Sequence, residues 1–177
     1  MKKWGIGWGK TITGLSFERR VSLEDALRKI EGYRVENDIN VYFNDKKVAE
    51  IYQKYWLYKN LLEPKWVEYK SFISKKLLPD NAIYVIAKWT LYIIEIKYQE
   101  VAGSVDEKLQ TCDFKKKQYT RLLSELNYEV EYIYILDDWF KQPKYKDVLD
   151  YIISVNCKYY FNYIPLQKLG LPVPEIW

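Results

Sequence analysis

Histidine is absent from the 177 residues of this chain, and cysteine (2), methionine (1), proline (6) and glycine (7) are scarce. Without histidine, zinc sites, non-haem iron sites and Ser-His-Asp catalysis lose their commonest residue. Cys112 and Cys157 are too few for a disulfide framework or a zinc cluster. Any metal must then be held by carboxylates and carbonyls, chemistry that favours hard ions such as Mg²⁺ or Mn²⁺. No run approaches the roughly 18 uninterrupted apolar residues of a membrane span. Met1-Lys2-Lys3-Trp4-Gly5 has no apolar stretch of the secretory kind. The expectation is a cytoplasmic protein with no membrane partner.

What is present suits one packed domain over 1–177, since 49% of residues are apolar. The formal charge of +4 is a modest basic excess, weak evidence for nucleic acid on its own. Tyrosine (18) and tryptophan (7) are abundant. Such rings stack on bases or fill interfaces, although most belong to a core.

No repeat or low-complexity linker divides the chain. Ser22 followed by Asp25, with Gly32 as a stop, predicts a short helix near 23–31. Asn44 as cap and Pro64 as terminator predict a longer helix from Asp45 to about Leu62, with Val48, Ile51, Tyr55 and Leu62 at near-helical spacing. The first 65 residues or so therefore read as a helical part, and about 66–165 as a catalytic core.

From residue 82 the pattern becomes strand-like. Ala82 to Ala87 and Thr90 to Tyr98 are rich in Ile, Val and Tyr and read as a hairpin around Lys88-Trp89. Lys-Trp is poor turn chemistry, which leaves room for a longer loop. Ser104 and Glu107 form a capping box for a helix carrying Val105, Leu109, Cys112, Tyr119, Leu123 and Leu126 on one face. Glu129 to Leu136 is a third strand, Pro143 opens a helix to about Ser154, and Cys157 to Ile164 is a last strand. The order is helices, then β-β-α-β-α-β, an α/β arrangement with a mixed central sheet flanked by helices.

The chemistry-bearing pattern is Pro79-Asp80, then residues 81–94, then Glu95-Ile96-Lys97. Residues two apart on a strand share a face, so Glu95 and Lys97 point the same way. With Lys88-Trp89 as the turn, Asp80 falls opposite Lys97, and all three converge at the open end of the hairpin. Two carboxylates and the Ile96 carbonyl suit a hard divalent ion, which polarises a phosphate and acidifies a bound water. Lys97 would orient that water or neutralise developing charge. Glu-x-Lys on a wet strand face is common, but Ile93, Ile94 and Ile96 mark this strand as buried, where a Glu and a Lys demand a reason.

Leu78-Pro79-Asp80-Asn81-Ala82 followed by Ile93-Ile94-Glu95-Ile96-Lys97-Tyr98-Gln99 resembles the PD-(D/E)XK nuclease superfamily. Ala102 to Lys108 and the basic helix after it are similar to small type II restriction endonuclease-like proteins of that group. The resemblance covers roughly residues 70–140. It implies a restriction-endonuclease-like β-β-α-β core and Mg²⁺-dependent cleavage of double-stranded DNA leaving a 5′-phosphate, with Mn²⁺ able to substitute. It also implies a homodimer, with Asp80, Glu95 and Lys97 as the catalytic set and a cognate DNA methyltransferase encoded nearby. A junction resolvase, a repair nuclease and a non-catalytic DNA-binding module are the alternatives.

Many members add an acid from a preceding helix, for which Glu50 and Glu18 are candidates. Gln99 lies on the Glu95/Lys97 face and is either an accessory group or a strand-end polar residue. Lys75, Lys76, Lys108, Lys115 and Lys117 are candidate phosphate contacts, with a solvated surface as the plain alternative. Gly9-Lys10-Thr11, with Ile133 to Asp137 as an acidic strand end, invites a P-loop reading. Trp4 stands where the first glycine is required, and no strand fits before it.

Overall fold

The structure is a computed structural model that describes residues 13–17, 21–99 and 105–175. Its elements in order are β1 (Gly14–Ser16), α1 (Leu23–Arg28), β2 (Tyr33–Glu36), β3 (Asn40–Phe43), β4 (Lys46–Ile51), a π-helical turn (Leu57–Leu62), β5 (Asn81–Val85) and β6 (Thr90–Lys97). There follow α2 (Val105–Leu109), α3 (Cys112–Leu122), β7 (Glu129–Leu136), α4 (Lys146–Ser154), β8 (Lys158–Phe161), β9 (Tyr163–Pro165) and α5 (Leu166–Leu169). The class is mixed α/β. A seven-stranded sheet runs β2-β3-β4-β5-β6-β7-β8, and β1 pairs with β9 in a two-stranded sheet. The β2 to β6 pairings are antiparallel, and β6-β7-β8 are parallel.

Both faces of the large sheet are covered. One carries Leu91, Ile93, Tyr132 and Tyr134 against Cys112, Tyr119 and Leu122 of α3, Ile152 of α4 and the π-turn residues Leu57 and Leu61. The other carries Ile83, Tyr92, Ile94, Ile133 and Ile135 against Leu23 and Leu27 of α1, Leu15 of β1 and Leu166 of α5. Burial on two sides explains why β6 and β7 read as almost unbroken apolar runs. Cys112 and Cys157 are both buried and free.

The short helix begins as its sequence predicts, with the Ser22 hydroxyl accepting from the Asp25 amide. The helix expected from Asp45 is replaced by a meander. Asn37-Asp38 and Asn44-Asp45 have positive φ at both residues (50° and 54°, 46° and 63°), turning β2 into β3 and β3 into β4. Asn and Asp tolerate the left-handed region that these turns require, the first a three-residue loop closed by Ile39 and the second a two-residue one. Asn44 is thus a turn residue rather than a cap, and of that segment only Leu57–Leu62 is helical. The strand expected to run to Ile164 breaks at Asn162 (φ 57°), which passes the chain from β8 to β9. Trp4, Gly9, Lys10 and Thr11, Glu18 and the Ser104 half of the capping box lie outside the described residues.

Candidate active site

The β5/β6 hairpin closes through a short 3₁₀ turn, Ile86–Lys88, with Trp89 left-handed at φ 52°. The loop is longer than Lys88-Trp89, so Val85 pairs with Thr90 and Asn81 with Ile94. Continued one step past the ladder, this register sets Asp80 beside Glu95, where the two-residue turn would have set it beside Lys97. A slip of two leaves every side chain on its original face. Convergence of the three residues therefore survives the change of partner.

Lys97 Nζ lies 3.0 Å from Glu95 Oε2 and 4.0 Å from Asp80 Oδ2. Glu95 is only 6% exposed, whereas about half of the Asp80 side chain faces solvent. Two groups outside the expected set hold the other oxygen of Glu95. Lys115 Nζ, from α3, donates to Oε1 at 2.6 Å, and the Tyr132 hydroxyl of β7 donates to the same atom. Oε2 is within ion-pair distance of Lys97 yet accepts no hydrogen bond in the described structure. Burial pushes the Glu95 carboxyl up, but it is overcome by the Lys97 charge, by hydrogen bonds from Lys115 and Tyr132, and by the Lys115 charge. The group sits below the ordinary carboxylate range. Burial, reinforced by Glu95, drives the Tyr132 hydroxyl far above the ordinary tyrosine value, so it stays a donor. Tyr119, on α3, is raised by burial and then by Tyr58, Glu95 and Asp80.

A hard cation is compatible with this donor set. Mg²⁺ commonly takes one or two carboxylates and keeps several waters. Asp80 and the Glu95 Oε2 atom are two such donors. The Lys97 carbonyl accepts from the Asp137 amide on the β7 side. Carbonyls alternate along a strand, so that of Ile96 turns to the β5 side, where the ladder has ended at Asn81. No three His, Cys, Asp or Glu residues come together among the described residues. Two carboxylates and a carbonyl are what the site offers.

The other candidates disperse. Glu50 is on β4 rather than a helix, paired in register with Tyr84 and, through it, with Leu91. That is four residues of β6 from Glu95, about 13 Å along the strand. Its carboxylate is occupied by Lys47 at 2.6 Å and by Tyr52. Burial pushes it up, and these two hydrogen bonds bring it below its ordinary value. The helix acid tied to the Asp80 segment is Glu24 of α1, buried, whose Oε2 accepts from Gln53 Nε2 at 2.9 Å. The same Gln53 nitrogen reaches Asn81 Oδ1 at 3.1 Å. Gln99 is buried past the end of β6, its amide donating to Asp137 Oδ2 at 3.0 Å beside a cavity of about 450 Å³.

Of the lysines, Lys115 is turned inward to Glu95 rather than outward. Lys76 lies over the rings of Tyr58 and Tyr69, at 4.7 and 4.9 Å. Lys75 and Lys108 are exposed, and Lys117 is exposed beside Asp113 at 2.7 Å. Lys116 donates to the Asn156 carbonyl at 2.6 Å.

The sequence carries a signal for the missed groups. Cys112, Lys115, Tyr119 and Leu122 recur at i, i+3, i+7 and i+10 and share one helix face. Tyr132 sits opposite Ile93 in the parallel ladder, one same-face step from Glu95. Comparison with known protein families, characterised proteins and solved structures returns no match.

Proposed function

We propose that this chain is a Mg²⁺-dependent endodeoxyribonuclease with a restriction-endonuclease-like core and Asp80, Glu95 and Lys97 as its catalytic set. One observation carries the reading: a single ammonium, Lys97 Nζ, is within 4.0 Å of both carboxylates at the open end of a hairpin in a mixed sheet. A buried Glu with one oxygen fixed and the other accepting no hydrogen bond suits cation binding better than structural pairing. Asp80, Glu95 and the Ile96 carbonyl would hold Mg²⁺, which when bound would supply Lewis acidity to the scissile phosphate and a more acidic bound water.

The chain's own residues do the rest. Lys115 and Tyr132 hold Oε1, which restrains the carboxylate and leaves Oε2 beside Lys97. Lys97 orients the attacking water and offsets charge on the pentacovalent phosphorus. Exposed Lys75, Lys108 and Lys117 are available to backbone phosphates. Site-specific cutting of double-stranded DNA by a homodimer, with a DNA methyltransferase encoded nearby, is the fuller form of this reading. A junction-resolving or repair role is the second, favoured by the exposed aromatic pair Tyr55 and Trp56, which directly follows the Lys54 amide bonded to the Pro79 carbonyl.

The test is cleavage of supercoiled plasmid and of a labelled four-way junction with Mg²⁺, Mn²⁺ or EDTA. Cleavage with either metal and silence in EDTA is expected. Undiminished cleavage in EDTA would exclude the metal mechanism, and silence under every condition would leave a binding module.

A further inference from the structure

After β4 the chain keeps company with the strand that delivers Asp80. The Tyr52 amide donates to the Ala82 carbonyl (2.8 Å) and the Lys54 amide to the Pro79 carbonyl (2.9 Å). Between them Gln53 Nε2 reaches Asn81 Oδ1. Residues 52–54 therefore run antiparallel beside 79–82 and pass the start of β5 at the level of Asp80. Lys54 then adopts φ 47°, a left-handed conformation that costs a non-glycine residue roughly 1 kcal/mol. The chain next exposes two rings in succession, Tyr55 at 62% and Trp56 at 40%. Leu57 returns to the core and opens the π-turn, a rare geometry found frequently at functional sites.

The core does not need these two rings, because Leu57, Tyr58 and Leu61 already fill the space beneath. Charge complements them. Residues 52–62 hold Lys54 and Lys59 and no acid, and both lysines are exposed. Lys75 is exposed on the segment leading to Asp80. Aromatic faces flanked by cations, next to a carboxylate-lysine centre, are what a polyanion with accessible bases would meet. A base inside a continuous duplex already stacks on both faces, so it presents none to a protein ring unless unpaired or extruded.

We infer that Tyr55 and Trp56 form a stacking platform for one or two unpaired nucleotides next to the phosphate held at Asp80 and Glu95. The substrate class is then DNA with unpaired nucleotides at the cut, such as a single strand, fork, flap or junction arm. The inference rests on the nuclease reading for the cleavage step and not for the binding step, so the two can fail separately.

Fluorescence anisotropy of labelled oligothymidine and of a blunt duplex, measured with the full chain in EDTA, tests the platform without turnover. Each lost stacking contact should weaken single-strand binding roughly 5- to 150-fold. Trp56→Ala and Tyr55→Ala should therefore weaken oligothymidine binding at least about fivefold, and Trp56→Phe should recover most of it. Duplex binding should change less than about twofold, because phosphate contacts carry it. Unchanged far-UV circular dichroism checks that the exposed substitutions leave the fold intact. Equal losses on both DNAs, no loss on either, or a change only in self-association by sedimentation would each overturn the platform. The last outcome would assign the rings to a protein interface. Absence of Mg²⁺-dependent cleavage alongside the expected binding pattern would sink the nuclease reading and leave the platform standing.

Discussion

Replacing Lys115 by methionine keeps a stem of similar length and removes the charge. Glu95 Oε1 would retain only the Tyr132 hydroxyl, and Oε2 only the Lys97 ammonium. Breaking a fully buried ion pair costs about 3–5 kcal/mol, and a hydrogen bond to a charged group contributes about 1.5–3 kcal/mol. Lys115 is 30% exposed and Lys97 stays in place, so the lower range applies and about 2 kcal/mol is expected at neutral pH. The pH dependence separates this loss from a packing defect. A carboxyl held below its unfolded value contributes stability that is full above the unfolded pKa and is lost as pH falls through the folded one. Removing Lys115 leaves burial less opposed and moves the folded pKa of Glu95 up, so the mutant loses stability earlier on acidification. Once Glu95 is protonated in both proteins, the difference between them should shrink towards zero. Urea unfolding of both proteins from neutral pH to below about pH 4 reads this directly. A penalty that does not vary with pH, or none at neutral pH, would refute the assignment of Lys115 to Glu95.

Asp80→Ala, Glu95→Ala and Lys97→Ala should each abolish DNA cleavage; calorimetry should show weakened Mn²⁺ binding for the first two and retained binding for Lys97→Ala, and near-normal cleavage by Lys97→Ala would move the active site elsewhere. Lys117→Ala should leave the urea midpoint unchanged, because its pair with Asp113 is exposed, and should reduce the salt slope of DNA binding by about 0.9; an unchanged slope would remove Lys117 from the phosphate contacts. Lys116→Ala should instead cost about 1 kcal/mol in urea unfolding through its lost bond to the Asn156 carbonyl, with DNA affinity unchanged. Gly14→Ala would place a Cβ 2.5 Å from the Ile164 carbonyl oxygen, so β1 must part from β9; a loss of about 1–3 kcal/mol in thermal melts is expected, and an unchanged Tm would contradict the pairing.

The C-terminal half of the fold is legible in the sequence. β6 and β7 are runs of Ile, Val and Tyr whose two-sided burial leaves an unbroken apolar signature, and Pro143 marks the turn into α4. The N-terminal half was less readable because β3 and β4 are short and half-exposed. Val48, Ile51 and Tyr55 fall at helical spacing by coincidence, and the two Asn-Asp turns carry the decisive information. Asp80, Glu95 and Lys97 come together because strand alternation needs only parity. The roles of Lys115, Tyr132 and Glu24 stayed hidden because they depend on which face of α3 docks, how β7 registers on β6, and where α1 ends up. The spacing of Cys112, Lys115, Tyr119 and Leu122 announces a shared face of α3, but what that face meets is a long-range outcome.

The sheet changes character at β6, and that seam has a kinetic consequence. The β2-β3, β3-β4 and β5-β6 pairs are hairpins of strands close in the chain, whereas β5 reaches β4 after a long connection and β7 and β8 reach their parallel partners only after excursions through α2, α3 and α4. Nearby pairings close small loops and form early, and parallel ones wait for longer searches. Asp80, Glu95 and Lys97 all belong to the early side of the seam, and Lys115 and Tyr132 to the late side. During refolding, Glu95 should meet the Lys97 ammonium before it gains the two donors that fix Oε1. A nascent chain would carry Asp80, Glu95 and Lys97 together while their geometry is still loose, and their final arrangement would arrive with the last parallel strands.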